Sequence, residues 1–500
     1  MTRQLLQPFE EYQKARITFV QSIAELAKKS CNVEALNSAG VMFLLRPLLC
    51  DTVSSIQQTA ALAVGRLANH SVVLAESCIK NNILPQLLDH LSVQNRLYKK
   101  AACYVLRAVA KHNTSLAYSV IKTNALLELV SCLEEFDSGV KESAAWALGY
   151  IAKHNNDLAN EVVKADAINS LILCLQEPSI ELKRAAAMTL CYICNHSEQL
   201  AQEVLYKGLD QIVFFLPYND IILKRNICLL LGNIAKHSKD LAVNIMNNLN
   251  PQKLLSCLNE EDSIVAKNAA FCICEISKKS IDNATKIIDA GGAAIIVEFI
   301  TNSSGDTRLN GILTLGYIAS FNENLASEII KAKAIYQLNE ALQLEAKQSI
   351  KAAACYALGK IGMHSNEHAR EVSDANVLHL MVSYYKTSDS NEQLKEQAKN
   401  ALRIIIEQCS NLTALEPLIN KAPFDILEFI LKQYQLHLKN STYEKKQFIQ
   451  NEGLRKLQEI YKQLPENIKS YVDEINSYFP EAIVKYYSPE YIQIMRNGLL

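Results

Sequence analysis

The sequence predicts an all-α fold, an α-solenoid of three-helix blocks laid side by side, and three observations carry that prediction. First, a block of about 42 residues recurs, and its last small residue falls at Ala27, Ala68, Ala110, Ala152, Cys194, Ala235, Ser277, Ala319 and Gly362. The steps are 41, 42, 42, 42, 41, 42, 42 and 43, a period that marks a repeat array. Second, Gly (15) and Pro (11) are scarce, 49% of residues are apolar and no Val/Thr-rich alternating run occurs, which favours helix throughout. Third, nothing between the blocks reads as a linker, so the 500 residues form one continuous stack rather than several domains.

The elements of one block follow from local chemistry. Leu158 to Lys164 makes a short first helix, and Ala167 to Leu175 a second with apolar residues at i, i+4, i+5 and i+8. A Pro178-Ser179 turn follows, and Ser179 is placed to cap a longer third helix whose buried stripe is Leu182, Ala186, Leu190 and Ile193. None of these helices is long enough to stand alone in water, so stacking on neighbouring copies has to supply the core. Residues 1–38 read as an N-terminal helical cap and partial repeat, 39–408 as the repeats, and 409–500 as an atypical C-terminal helical cap and Tyr-rich tail. Asn451 to Leu457 echoes a second helix, so Leu412 to about Leu464 reads as a worn final unit, followed by Tyr471, Tyr478, Tyr486, Tyr487 and Tyr491. The paired alanines are lost at Asn226-Ile227-Cys228, Leu309-Asn310-Gly311 and Lys399-Asn400, where looser packing is expected.

Composition limits the function classes. A formal net charge of −1 argues against a nucleic-acid or membrane-surface polycation, so partners have to be recognised by local surface. No apolar run of 18 or more occurs, the first residues lack a cleavable apolar core, Thr2 excludes myristoylation, and Asn497-Gly498-Leu499-Leu500 has no prenylatable Cys. The expectation is a cytoplasmic protein without membrane insertion. Of fourteen cysteines, Cys103, Cys228 and Cys355 share the slot of Ala145, Cys191 and Cys274 that of Gly149, and Cys194 that of Ala152. They read as small packing residues in a reducing compartment rather than as disulfide or metal ligands. His70, His112, His154, His196, His237 and His364 each lie two residues past the closing small residue, where imidazole can donate to the open carbonyls of a helix end.

Two ladders are candidates for binding. Lys99, Lys141, Lys183, Lys224, Arg308, Lys351 and Lys395 occupy the first turn of a third helix, with Ala266 breaking the row. Cations are unfavourable there, so either acidic residues in the preceding turns, such as Glu134, Glu135, Asp137 and Glu177, compensate, or the row meets acidic tails such as those of tubulin. In the second case Lys141, Lys183 and Lys224 changed to Glu should weaken microtubule pelleting without unfolding. The other ladder is aromatic: Tyr104, Trp146, Tyr150, Tyr192, Phe271, Tyr317 and Tyr356. Tyr150, Tyr192 and Tyr317 read as interface residues, while Trp146, Phe271 and Tyr356 are equally suited to core packing.

The three-helix pattern, with its run Ala144-Ala145-Trp146-Ala147-Leu148-Gly149-Tyr150-Ile151-Ala152, resembles the armadillo repeat over roughly residues 35–408. The resemblance implies a right-handed superhelix whose third helices line an inner groove. Import receptors of that class repeat a Trp followed four residues later by Asn. Here the paired slots hold one Trp (Trp146) and one Asn (Asn233), so repeated capture of a lysine-rich signal is not supported. Beyond the repeat, Phe9 to Arg16, Gly40 to Leu49, Ile56 to Asn69, Gln94 to Ala102 and Val484 to Tyr491 are together similar to the sperm-associated-antigen armadillo family of the ciliary central apparatus. That resemblance implies a non-enzymatic scaffold on a central-pair microtubule of motile cilia and flagella, with axonemal central-apparatus proteins and tubulin as partners and self-association possible in principle. The alternative is a general cytoplasmic adaptor, junctional or vesicle-associated, with nuclear import third. Gly359-Lys360 lacks the upstream Gly of a phosphate loop and Gly291-Gly292 is a repeat turn, so no cofactor and no catalytic set is expected.

Overall fold

The computed structural model describes residues 2–89, 91–489 and 491. Met1, Glu490 within the Tyr-rich tail, and the end Asn497-Gly498-Leu499-Leu500 lie outside the described residues. Every regular element among the described residues is helical, and the chain divides into two compact units, Met1–Leu249 and Asn250–Leu500.

In the first unit the third helices Ser54–His70, Arg96–Ala110, Ser138–Ala152, Ile180–Cys194 and Ile221–Ala235 pack each on the next, and Thr2–Leu26 packs on the first of them. In the second, Ser263–Ser277, Asp306–Ala319, Gln348–Gly362, Glu392–Gln408, Phe424–Leu438 and Glu466–Ser477 form the same serial stack. The stripe Leu182, Ala186, Leu190 and Ile193 is fully buried, and Ser179 caps its helix by accepting from the Leu182 amide at 3.4 Å. Asn95, Asp137, Asp220, Asp262 and Asn391 do the same for other third helices.

The turn between first and second helices repeats one left-handed residue: Asn82, Asn124 and Asp166 in the first unit, Gly291, Lys333, Asn376 and Glu452 in the second. Gly, Asn and Asp adopt this conformation most readily. In the block closing at Ala235, Gly208 occupies that slot but stays helical, and the first two helices fuse into Glu198–Phe214. A Cβ on Gly208 would stand 2.7 Å from Ile172 Cδ1, so the straight helix depends on the missing side chain. Glu452 and the helix Gly453–Ile460 reproduce the turn and second helix expected at Asn451 to Leu457, and the stack continues to Ser477. Looser packing is not what the structure has at Gly311, where a Cβ would lie 3.0 Å from Ile300 Cγ1 and Phe299 Cδ1. Asn226, another departure, donates to the Arg184 carbonyl of the previous block at 3.0 Å.

The cysteines of the packing slots, Cys103, Cys191, Cys194, Cys228, Cys274 and Cys355, are buried. The periodic histidines reach across to the preceding block. His70, His112, His154, His196, His237 and His364 each bring Nε2 to 2.6–3.0 Å from the carbonyl of Ala27, Ala68, Ala110, Ala152, Cys194 and Ala319 respectively. Each acceptor is the closing small residue of the preceding block, so the orphan carbonyl satisfied belongs to the neighbour. His154→Ala is therefore expected to cost about 1 kcal/mol in urea unfolding and to speed amide exchange in the Lys111–Asn113 turn. An unchanged midpoint and unchanged exchange would contradict the staple.

Candidate protein-binding groove

The third helix presents two polar faces, and the structure separates them. The basic row faces the end of the second helix. Lys99 donates to the Ser92 carbonyl at 2.8 Å, Lys183 to that of Leu175 at 2.6 Å, and Arg308 Nε to that of Ser303 at 2.7 Å. Lys351 donates to the Tyr384 hydroxyl, which in turn donates to the Leu342 carbonyl. The cation at one helix start thus sits on the negative end of another helix, which offsets its unfavourable position on its own.

The compensating carboxylates come from the following block, not from the preceding turn as expected. Lys99 pairs with Glu135, Lys141 with Glu177 at 2.6 Å, and Arg308 with Glu345 at 3.2 Å. Arg16 and buried Asp51 start the ladder with the same kind of pair. Lys183 has no acid at the corresponding place and instead lies 4.7 Å from the Phe215 ring centre. Lys99, Lys183, Lys224 and Arg308 are buried, and Lys141, Lys351 and Lys395 are half-buried. The row is an inter-block clamp, and a partner would have to displace these contacts to reach it.

The aromatic row lies on the other face. All seven rings, Tyr104, Trp146, Tyr150, Tyr192, Phe271, Tyr317 and Tyr356, are half-buried, so Trp146, Phe271 and Tyr356 share the environment of the three tyrosines rather than filling the core. Trp146 and Tyr150 stand one helical turn apart with centroids at 6.1 Å, and Tyr150 meets Tyr192 of the next block at 6.4 Å. In the second unit Tyr317 and Tyr356 meet edge to face at 5.5 Å. Burial raises the Tyr192 and Tyr317 phenols and pushes Tyr356 up to about 12, so all three stay hydrogen-bond donors at neutral pH.

Cations that the sequence reading passed over decorate these rings. Arg107 lies 5.0 Å from the Tyr104 centre, Lys153 bridges Tyr150 and Tyr192 at 5.8 and 5.6 Å, and Lys360 is 5.7 Å from Tyr356. The signal is an i+3 or i+4 basic residue after Tyr104, Tyr150 and Tyr356. A cleft of about 640 Å³ opens among Leu62, Arg66, Lys100, Tyr104, Arg107 and Trp146. In the second unit a smaller hollow, about 270 Å³, is lined by Tyr356, Lys360, Gln397, Asn400 and Arg403. Ring faces for apolar side chains with cations beside them suit an extended acidic segment.

Among the described residues no group of three or more His, Cys, Asp or Glu is placed to hold a metal ion, and no single helix is long and apolar enough to cross a membrane. His368 is bonded to Ser327 and Ser365 through its two ring nitrogens at 3.0 and 2.7 Å, and the Ser327 hydroxyl donates to the Glu323 carbonyl, which ties the first helices Glu323–Lys331 and Asn366–Asp374 of successive blocks together.

Stacked three-helix blocks with a ring-lined third-helix face define an armadillo-repeat solenoid, and a model of the Armadillo/beta-catenin-like repeat matches residues 117–153. A crystal structure of an engineered protein superposes with a TM-score of 0.70 over 87% of this chain and 98% of its own, at 20% identity, a likeness of fold alone. Sperm-associated antigen 6 of Mus musculus is 47% identical over 98% of this chain and 97% of its own length, and that of Homo sapiens 46% over 98% and 96%. The chain belongs to the sperm-associated antigen 6 family of armadillo-repeat proteins.

Proposed function

We propose that this chain is a non-enzymatic structural scaffold of the axonemal central apparatus in motile cilia and flagella. It holds microtubule-associated proteins, and through them or directly tubulin, along an armadillo array. The likeness to proteins named for their association with sperm runs along nearly the whole chain and supports the setting. The observation that carries the binding role is the cation-decorated aromatic strip, above all Lys153 between Tyr150 and Tyr192. Its complement is an extended acidic segment with apolar side chains, the chemistry of a tubulin tail.

Arg107→Glu with Lys153→Glu is expected to weaken microtubule co-sedimentation roughly tenfold or more, with a shallower salt dependence and an unchanged melting curve. Equal pelleting of folded variant and parent would reject the strip as the site. Imaging the tagged chain in a motile cilium tests the setting separately. Enrichment along the central pair is the expected result, and a diffuse or junctional signal would favour the adaptor.

A further inference from the structure

The basic ladder that begins at Arg16 is interrupted by Gln57 and by Ala266, and the second interruption leaves a built hollow. Eleven residues before the closing position stand Lys99, Lys141, Lys183, Lys224, Arg308 and Lys351, and in the block closing at Ser277 the same slot holds Ala266. The closest internal template is Lys183. Its ammonium takes the carbonyl of Leu175, nineteen residues before the closing Cys194, and the ring of Phe215, twenty residues before the closing Ala235. Both partners recur around Ala266: Leu258 is nineteen residues before Ser277, and Phe299 twenty before Ala319.

Leu258, Ala266 and Phe299 line one hollow of about 370 Å³, with Asn302 and the carboxylates of Glu261 and Glu298 at its walls and mouth. Ala266 and Phe299 are buried, at 5% and 3% exposure, whereas Glu261 and Glu298 are exposed. Lys267, the next residue, does not line the hollow, and its charge acts on Asp306. The ladder elsewhere shows what the walls of this pocket hold: a primary ammonium on an aliphatic stem, against a helix-end carbonyl and a ring face.

We propose that the hollow at Ala266 is a receptor for a lysine side chain of a partner protein, which completes the ladder from outside. The site is separate from the aromatic strip and opposite in charge preference, so one scaffold block offers a second, orthogonal docking point. The inference rests on the scaffold reading only in taking the partner to be a protein.

The test uses the full chain with methyl-labelled alanine and the probe Nα-acetyl-lysine amide, compared with its Nε-acetylated form. The expected result is a saturable shift of the Ala266 methyl resonance with the free ammonium, and binding weaker by roughly tenfold once it is acetylated. Ala266→Lys, which supplies the cation from the chain itself and removes that methyl, should abolish the accompanying shift of the Ala270 methyl one helical turn on. Should that variant not fold, Glu261→Gln with Glu298→Gln, both exposed, should weaken binding severalfold. Equal shifts from the two probes, or an Ala266 methyl that moves with neither, would overturn the assignment. Those outcomes leave microtubule binding by the aromatic strip untouched, so failure here and failure of the scaffold reading are told apart.

Discussion

Lys183→Glu is expected to destabilise the first unit by about 3–5 kcal/mol, because it exchanges a satisfied buried cation for a buried anion with no donor. The Lys183 ammonium, 6% exposed, donates to the Leu175 carbonyl at 2.6 Å and lies over Phe215 at 4.7 Å. A carboxylate in that place would face a carbonyl oxygen, the negative face of a ring and the negative end of the helix Ala167–Gln176. Each term changes sign together. Lys183→Met keeps the aliphatic stem and removes the charge, and should cost only about 1–2 kcal/mol. Lys153→Glu, exposed on the aromatic face, should stay within about 0.5 kcal/mol of the parent. Urea unfolding of the three variants at one pH ranks them, and a Lys183→Glu midpoint equal to the parent would refute the clamp. The same geometry changes what charge reversal of Lys141, Lys183 and Lys224 can report. Lost microtubule pelleting in that triple variant would reflect a damaged fold, where the sequence alone suggested a clean surface test.

The period was legible because stacking makes the same steric demand on every copy. A closing Ala, Cys, Ser or Gly recurs since the next third helix passes within reach of that residue, and a Cβ on the closing Gly362 would lie 3.0 Å from Ile405 Cγ1 of the next third helix. Caps such as Ser179 and stripes such as Leu182 to Ile193 were legible for the same reason, since both are written within one block. Pairings between blocks were not. A repeat fixes what each copy contains but not how far one is displaced from the next, so Glu135 was assigned to its own block and not to Lys99. The histidines show in the sequence as partners of open helix-end carbonyls, but which block owns each carbonyl does not. The aromatic face shows in its spacing, whereas Arg107 and Lys153 recur less regularly than the lysine row and do not stand out from the sequence. Regularity there reports structural demand: the periodic cations are the ones the fold itself uses.

Raising the pH above 9 is expected to unfold the chain steeply, and the packing cysteines are the cause. Burial pushes the thiols of Cys78 and Cys191 in the first unit, and Cys274 and Cys355 in the second, up to about 12 from an ordinary 9.0. The folded state therefore holds protons that the unfolded chain releases. Stability is undiminished below pH 9, falls as the unfolded thiols ionise, and is lowest once the pH passes the folded values. Each such thiol contributes a slope of about 1.4 kcal/mol per pH unit in that window, so these two per unit give about 3 kcal/mol per pH unit, and the raised thiols of Cys174 and Cys194 in the first unit and Cys272 and Cys409 in the second add in the same direction. A domain with roughly 5–15 kcal/mol in hand would lose much of it between about pH 9 and pH 11. Cys191→Ala with Cys78→Ala should lessen the decline of the first unit, where Cys174 and Cys194 still contribute, while leaving that of the second, at a constant cost from the lost thiol volume. Urea midpoints read under reducing conditions at pH 8, 9 and 10 separate the two contributions, since a cavity lowers all three equally whereas ionisation hardly touches the first, lowers the second a little and the third most. A parent chain with the same midpoint at pH 8 and pH 10 would mean that these thiols reach solvent, and the small-residue slots would then not be the sealed seams between blocks.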